Sequence, residues 1–234
     1  LFTLMTLGLP LQSGWCDPNG GLLFDFLDDE RSKPEHYAGN FVTSGFGNGV
    51  ITLNVLEADD AARAAMQSEM LEPYRTLLGH FRHESGHYYW SLMSHDAAIS
   101  DAFADLLGDP NKDYAGSLER YYETGPPSDW QDGYISAYAT AHPLEDWAET
   151  WGHYLHMLDA LETAHAHQLL DKDGTTMNMS ERIAAWQQMS VMLNEMNRSV
   201  GGSDAYPFTI STGVARKLEL VDGAMGYLQR RQTG

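Results

Sequence analysis

The pattern of apolar and polar positions divides the chain into a strand-rich start and a helical remainder. Residues 1–47 are rich in Gly, Pro and Asp and carry short apolar runs such as Gly21–Leu27, which is typical of strands and turns. Gly47–Val55 is the clearest strand, because it contains an Asn-Gly pair that favours a tight turn and then a run of β-branched and apolar residues. We therefore predict a strand-rich part over residues 1–56.

From Glu57 onward, apolar positions recur at helical spacing. An Ala-rich stretch with acidic residues at its start predicts a helix after Glu57, and Pro73 can open the next helix, which is expected to run from about Glu72 to Met93. Further helices are predicted over Ala97–Leu107, Tyr114–Tyr122, Pro143–Thr163, Ser180–Arg198 and Thr212–Arg230. The pattern predicts an α+β fold in one domain of residues 1–234, whose helical part covers residues 57–234.

Composition argues against several classes of function. The 14 Lys and Arg residues against 33 Asp and Glu give a net charge of −19, which disfavours nucleic acid and anionic membranes as partners. No apolar run reaches the roughly eighteen residues of a membrane span. Cys16 is the sole cysteine and has no basic leader before it, so we expect a reduced, cytoplasmic protein without a signal peptide. The missing initiator Met suggests that further residues precede Leu1.

The predicted helix over Glu72–Met93 contains the sequence His83-Glu84-Ser85-Gly86-His87. Histidines four positions apart project from one helix face and can reach one metal ion. Glu84 lies between them, where it can act as a general base on water without ligating the metal. The pattern predicts one catalytic Zn²⁺. The alternative is a surface helix turn with two solvated histidines.

A catalytic zinc ion needs a third protein ligand, and the helix predicted to start at Pro143 offers one. Glu145 and Glu149 lie four positions apart on one helix face. Glu145 is the favoured ligand, and Glu149 can then accept a hydrogen bond from the outer nitrogen of a ligand histidine. Alternatively, Glu145 is a carboxylate that complements the helix dipole, and His142 or His153 is the third ligand.

The segments His80–Trp90 and Ser136–His156 closely resemble a family of bacterial zinc-binding metallopeptidases of the zincin clan. Within that clan the arrangement is similar to the gluzincins, which include thermolysin and the lethal-factor type of toxin protease. The resemblance implies a zincin-like fold in which Glu145 is the third ligand and Glu149 supports a ligand histidine. It also implies that Tyr138 donates to the oxyanion, with packing in the core as the alternative.

The function implied by this resemblance is zinc-dependent hydrolysis of peptide bonds in a peptide or protein substrate. Zinc would lower the pKa of its water, and Glu84 would take the proton and deliver it to the leaving amine. A binding or regulatory module of the same fold, with structural zinc or none, stays open, as does a zinc amidase with a non-protein substrate. Relatives often begin with a Cys-rich segment similar to a zinc ribbon, whereas this chain has only Cys16.

Four secondary expectations concern residues near these motifs. Gly49–Val55 is a candidate edge strand to which an extended substrate would add, with a buried interior strand as the alternative. His80 is expected to be a capped or solvated side chain. Gly86 inside a helix indicates that something packs closely against it. The methionines of Met189–Met196 are expected to fill the core.

Overall fold

The structure of the protein is a computed structural model that describes residues 1–17, 20–28, 42, 44–63 and 76–232. In chain order its elements are α1 (Phe2–Thr6), β1 (Leu23–Leu27), β2 (Gly45–Gly47), β3 (Val50–Asn54), α2 (Leu77–Met93), α3 (Ala97–Leu107), α4 (Tyr114–Thr124), α5 (Pro143–Ala166), α6 (Met179–Ser199) and α7 (Thr212–Gln232). A small sheet thus precedes a mostly helical body, and the predicted α+β class is confirmed.

The sheet has the order β1-β3-β2 among the described strands. Strand β1 runs parallel to β3, and β2 runs antiparallel to it through a turn in which Asn48 and Gly49 have φ of 50° and 81°. These left-handed angles are those of a two-residue hairpin turn, as the Asn-Gly pair predicts. Because β3 lies in the centre, the expectation that Gly49–Val55 forms an edge strand is wrong. Its residues Ile51 and Leu53 are buried on one face, and its pairing with β1 and β2 makes it the interior strand of the described sheet.

Helices α2 and α5 pack directly against each other at Gly86. A Cβ atom added to this glycine would lie 3.0 Å from Ala148 Cα and 3.2 Å from the side chain of Trp151. The Gly86 carbonyl accepts a hydrogen bond of 2.9 Å from Trp147 Nε1, and Ser85 Oγ accepts one of 3.1 Å from Trp151 Nε1. The close neighbour that the sequence indicates is therefore α5.

Helix boundaries agree well with the prediction for α3 and less well for α2. Helix α2 begins at Leu77, because Thr76 is extended and its hydroxyl caps the helix by accepting from the Gly79 N–H. The predicted start at Glu72 and Pro73 lies outside the described residues. The predicted helix after Glu57 falls mostly on residues outside the described part. In the described part, a 3₁₀ turn over Val55–Ala58 is followed by helical residues 60–63, which agree with the prediction. Helix α1 was not predicted.

The C-terminal helices cover α5, and each buries one face. Helix α7 buries Val214, Leu218, Val221, Met225 and Leu228 at helical spacing. Helix α6 turns Trp186 inward, whereas Met192 and Met196 are 37% and 61% exposed. The expectation that the methionines of Met189–Met196 fill the core is therefore wrong for Met192 and Met196, which lie on the outer face, whereas Met189 packs against the core. Among the described helices, none combines the length and apolar character that a bilayer span requires.

A buried ion pair joins α7 to the first turn of α5. Lys217 Nζ lies 2.6 Å from Asp146 Oδ2, donates to the Gly133 carbonyl at 2.7 Å and sits 3.9 Å from the centre of the Tyr134 ring. Burial raises the pKa of Asp146 to about 7, against the opposing effect of Lys217. The pair therefore ties α7 to the helix turn that carries Glu145.

Candidate metal centre

Helix α2 brings His83 and His87 together one turn apart. Their Nε2 atoms are 3.2 Å apart, and both side chains are largely buried. This separation follows from the spacing of four residues, which places both rings on the same helix face. Two imidazole nitrogens this close, each facing the same point, are arranged as they would be around one ion.

Glu145 completes the group from α5. Its Oε2 lies 3.1 Å from His83 Nε2, its Oε1 lies 3.4 Å from His87 Nε2, and the residue is 1% exposed. His142 caps the helix by accepting from the Leu144 N–H, and a proline at the first helical position sets the turn in which Glu145 lies.

These three residues fit a zinc ion. One donor atom from each of His83, His87 and Glu145 lies within 4.8 Å of the others, and two imidazoles with one carboxylate are a common catalytic zinc donor set. Burial by itself would raise the pKa of Glu145, but the neighbouring His87 and His83 hold it well below its usual range. The carboxylate is thus kept ionised, which is the state that ligates a metal.

Glu149 and Ser136 form a hydrogen-bonded pair at His83 Nδ1, the ring nitrogen that faces away from the candidate metal position. Glu149 Oε1 lies 2.7 Å from His83 Nδ1, and Ser136 Oγ donates to Glu149 Oε2 at 2.5 Å. A proton on Nδ1 leaves Nε2 with its lone pair toward the metal position, which is the usual arrangement for a ligand histidine. Burial opposes ionisation of Glu149, but the hydrogen bond with His83 contributes most to lowering its pKa to about 2.

Glu84 lies beside the donor group and is 4% exposed. Its Oε1 is 3.1 Å from His80 Nε2, whereas its Oε2 is buried and has no hydrogen-bond partner among the described residues. Buried carboxylate oxygens without a partner are rare in folded proteins, because desolvation is then uncompensated. Such an oxygen next to a metal position is suited to accept a proton from water.

Two tyrosines contact the ligand residues. The ring centre of Tyr138 lies 6.0 Å from that of His83, and Tyr138 begins a 3₁₀ turn that lines the cleft. Tyr114 donates a hydrogen bond of 2.7 Å to Glu145 Oε1. Burial, followed by the neighbouring Glu145, raises the pKa of Tyr114, so its hydroxyl stays protonated and remains a donor.

His142 and His153, the alternative third ligands, form hydrogen bonds with other groups. His142 Nε2 is 3.0 Å from the Lys112 carbonyl, and its Nδ1 accepts from the backbone of its own helix. His153 Nδ1 is 2.8 Å from the Tyr206 hydroxyl. Neither histidine belongs to the convergent donor group that the described residues contain.

Several supporting residues were missed by sequence reasoning. Tyr114 and Ser136 reach the site from outside the two metal-centre helices, and no periodic spacing connects them to the carboxylates that they contact. His80 was expected to be capped or solvated, but its side chain is only 9% exposed and lies beside Glu84. The spacing of four residues between His80 and Glu84 was a signal that could have identified this contact.

The site opens into a cleft with a volume of about 1210 Å³. On one side, Gly45 and Phe46 of β2 line the cleft, and β2 is an edge of the described sheet. Much of the remaining wall is aromatic and includes Tyr121, Tyr122, Trp130, Tyr134, Tyr206 and Phe208. A cleft of this size, with a strand beside the metal centre, can accommodate an extended chain.

Comparisons with known proteins assign the chain to a family. A family model described as "Putative zinc-binding metallo-peptidase" matches residues 1–224. Uncharacterized proteins of Mycobacterium bovis and of two Mycobacterium tuberculosis strains are each 42% identical to the chain over 226 residues. The match covers 93% of this chain and 64% of each relative, so the chain spans less than two thirds of their length. No solved structure matches the chain.

Proposed function

The chain belongs to this family of zinc-binding metallopeptidases, and we propose that it is a zinc-dependent peptidase that hydrolyses peptide bonds. One observation carries the proposal: His83, His87 and Glu145 converge within 4.8 Å beside the unpartnered Oε2 of Glu84. A purely structural zinc site needs a closed set of ligands and has no use for a general base beside them. The combination favours hydrolysis over a binding module.

In the proposed reaction, His83, His87 and Glu145 hold one Zn²⁺. When bound, this ion supplies Lewis acidity, which lowers the pKa of water and polarises a carbonyl group. Glu84 Oε2 removes a proton from the attacking water and passes it to the leaving amine. Tyr138 donates a hydrogen bond to the oxyanion that develops on the scissile carbonyl.

The proposed substrate is an extended peptide or protein segment that lies along the cleft. Strand β2 supports this choice, because an edge strand beside the site can pair with a substrate backbone. A small sheet followed by the zinc helix and a second helix bearing Glu145 also supports a zincin-like fold of the gluzincin type. The net charge of −19 favours basic substrates.

The first experiment measures zinc per chain by elemental mass spectrometry for the wild type and Glu145→Gln. We expect about one zinc in the wild type and a clear loss in the variant. A quenched fluorescent peptide library then tests cleavage, with Glu84→Gln as a variant that keeps its zinc and loses activity. Absence of zinc after reloading would favour the binding module, and Glu84-dependent cleavage of only non-peptide amides would favour the amidase.

A further inference from the structure

A buried chain of hydrogen bonds runs from the sheet to the side chain of Glu84. Ser44 Oγ accepts from the Asn54 N–H at 2.9 Å and donates to Glu57 Oε1 at 2.5 Å. Glu57 Oε2 lies 2.7 Å from His80 Nδ1, and His80 Nε2 lies 3.1 Å from Glu84 Oε1. The side chains of Glu57 and His80 are 2% and 9% exposed, so solvent contributes little to this chain.

The direction of each hydrogen bond follows from the chemistry of its groups. The Ser44 hydroxyl accepts from a backbone N–H, so its own proton points to Glu57, which accepts it as a carboxylate. Ionised carboxylates are acceptors only, and His80 lies between two of them. With both carboxylates ionised, both ring nitrogens of His80 act as donors, one toward Glu57 and the other toward Glu84. A buried network in which every bond has a donor and an acceptor holds its members in one geometry.

The consequence for Glu84 is that its two oxygens are no longer equivalent. Oε1 is occupied by His80, whereas Oε2 is left without a partner beside the three proposed ligands. We propose that His80, itself held by Glu57, is a positioning residue that fixes the Glu84 carboxylate so that only Oε2 is available to water. This inference rests on the proposed role of Glu84 as general base.

The same chain connects the general base to the sheet. His80 and Glu84 lie one turn apart on α2, whereas Glu57 lies in the 3₁₀ turn after β3. Ser44 immediately precedes β2, the edge strand that lines the cleft. The strand that would receive the substrate and the carboxylate that would activate water are thus held by one set of hydrogen bonds.

The test compares His80→Phe with His80→Gln. Phenylalanine removes both donors, whereas the glutamine amide can replace the donor toward Glu84 but not both donors at once. In steady-state assays with the peptide library, we expect His80→Phe to lower kcat about 100-fold, since general-base catalysis is worth about 10²–10⁴-fold, with KM and zinc content unchanged. His80→Gln is expected to have a kcat at least about tenfold higher than that of His80→Phe.

A second measurement does not depend on activity or on bound zinc. We expect ¹⁵N chemical shifts of the His80 ring in zinc-free protein to show both nitrogens protonated, and Glu84→Ala to change the Nε2 signal far more than the Nδ1 signal. An exposed histidine substituted in the same way, His167→Phe, is the matched control for kcat. The proposal is overturned by wild-type kcat in zinc-loaded His80→Phe, by equal loss in His80→Phe and His80→Gln, or by an unmoved Nε2 signal in Glu84→Ala.

These outcomes separate the inference from the proposed function. A wild-type protein that binds no zinc or cleaves no peptide would refute the peptidase, whereas the ring shifts of His80 would still report whether it holds Glu84. Conversely, if the wild type is active and His80→Phe has the same kcat, the proposed peptidase function stands and His80 is not a positioning residue.

Discussion

Substitution of Gly86 by alanine tests whether the α2–α5 contact sets the geometry of the metal centre. The added Cβ would lie 3.0 Å from a backbone atom, Ala148 Cα, and 3.2 Å from two atoms of Trp151. A backbone atom in the middle of a packed helix cannot rotate away. Accommodation therefore requires the two helices to separate by a few tenths of an ångström.

Two opposing effects determine how Gly86→Ala changes the free energy of unfolding. Alanine is favoured over glycine by about 1 kcal/mol in a helix interior. Overpacking a well-filled core costs about 1–3 kcal/mol. We therefore expect Gly86→Ala to lower the free energy of unfolding by about 1 kcal/mol, the sum of a loss near 2 and a gain near 1.

Two other helical glycines are matched controls. A Cβ at Gly152, on the facing helix, would make only ordinary contacts, the nearest at 3.5 Å to His83 N. A Cβ at Gly223 of α7 would meet nothing within 4 Å. The free energy of unfolding is expected to rise by about 1 kcal/mol in Gly152→Ala and Gly223→Ala. Each should therefore exceed that of Gly86→Ala by about 2 kcal/mol.

Urea unfolding with a chelator present is the appropriate assay, because bound zinc would otherwise add its own binding free energy to the stability. Zinc affinity measured separately should fall in Gly86→Ala, since ligand distances tolerate changes of only about 0.2 Å. It should not change in Gly223→Ala. If Gly86→Ala gained as much stability as Gly223→Ala and bound zinc equally well, the close packing would not govern the site.

Three further predictions concern other parts of the structure. Tyr114→Phe removes the hydroxyl that donates to Glu145, so we expect about tenfold weaker zinc binding in competition with a chromogenic chelator; unchanged affinity would make this contact incidental. Lys217→Met leaves Asp146 buried without its cation. Urea unfolding should show a free energy of unfolding lower by about 3 kcal/mol, and a loss below about 1 kcal/mol would mean that the ion pair contributes little. Removal of zinc should abolish cleavage and, relative to protein with zinc at 1,000 times its dissociation constant, lower stability by about 4 kcal/mol; an unchanged melting temperature would contradict the site.

The residues of the candidate metal centre could be paired from the sequence because each pair lies within one helix. Spacing of four residues places His83 with His87, and Glu145 with Glu149, whatever the rest of the fold does. What such spacing cannot supply is the distance between the two helices, since that depends on packing across some sixty residues of chain. Gly86 indicated a close approach, but it did not identify the partner helix.

The position of β3 in the sheet shows the limit of strand patterns. The apolar run in Val50–Asn54 correctly indicates a buried strand, although Ile51 and Leu53 on one face are buried more deeply than Val50 and Thr52 on the other. Pairing with β1 on one side and β2 on the other depends on long-range contacts, so the edge could not be located from the run itself. The outward-facing Met192 and Met196 were misjudged for a related reason, because helical spacing does not distinguish the inner face from the outer when both carry apolar residues.

The candidate metal centre combines residues from one helix with a residue from a second helix. His80, His83, Glu84 and His87 all belong to α2, so their relative positions are set by one helix and persist if the neighbouring elements shift. Glu145 comes from α5, and its distance from the histidines changes with any movement between the helices. Zinc binding should therefore be more sensitive than the His80–Glu84 contact to changes in the α2–α5 interface. A Gly86→Ala variant that weakens zinc binding while leaving the His80 ring shifts unchanged would separate the two parts.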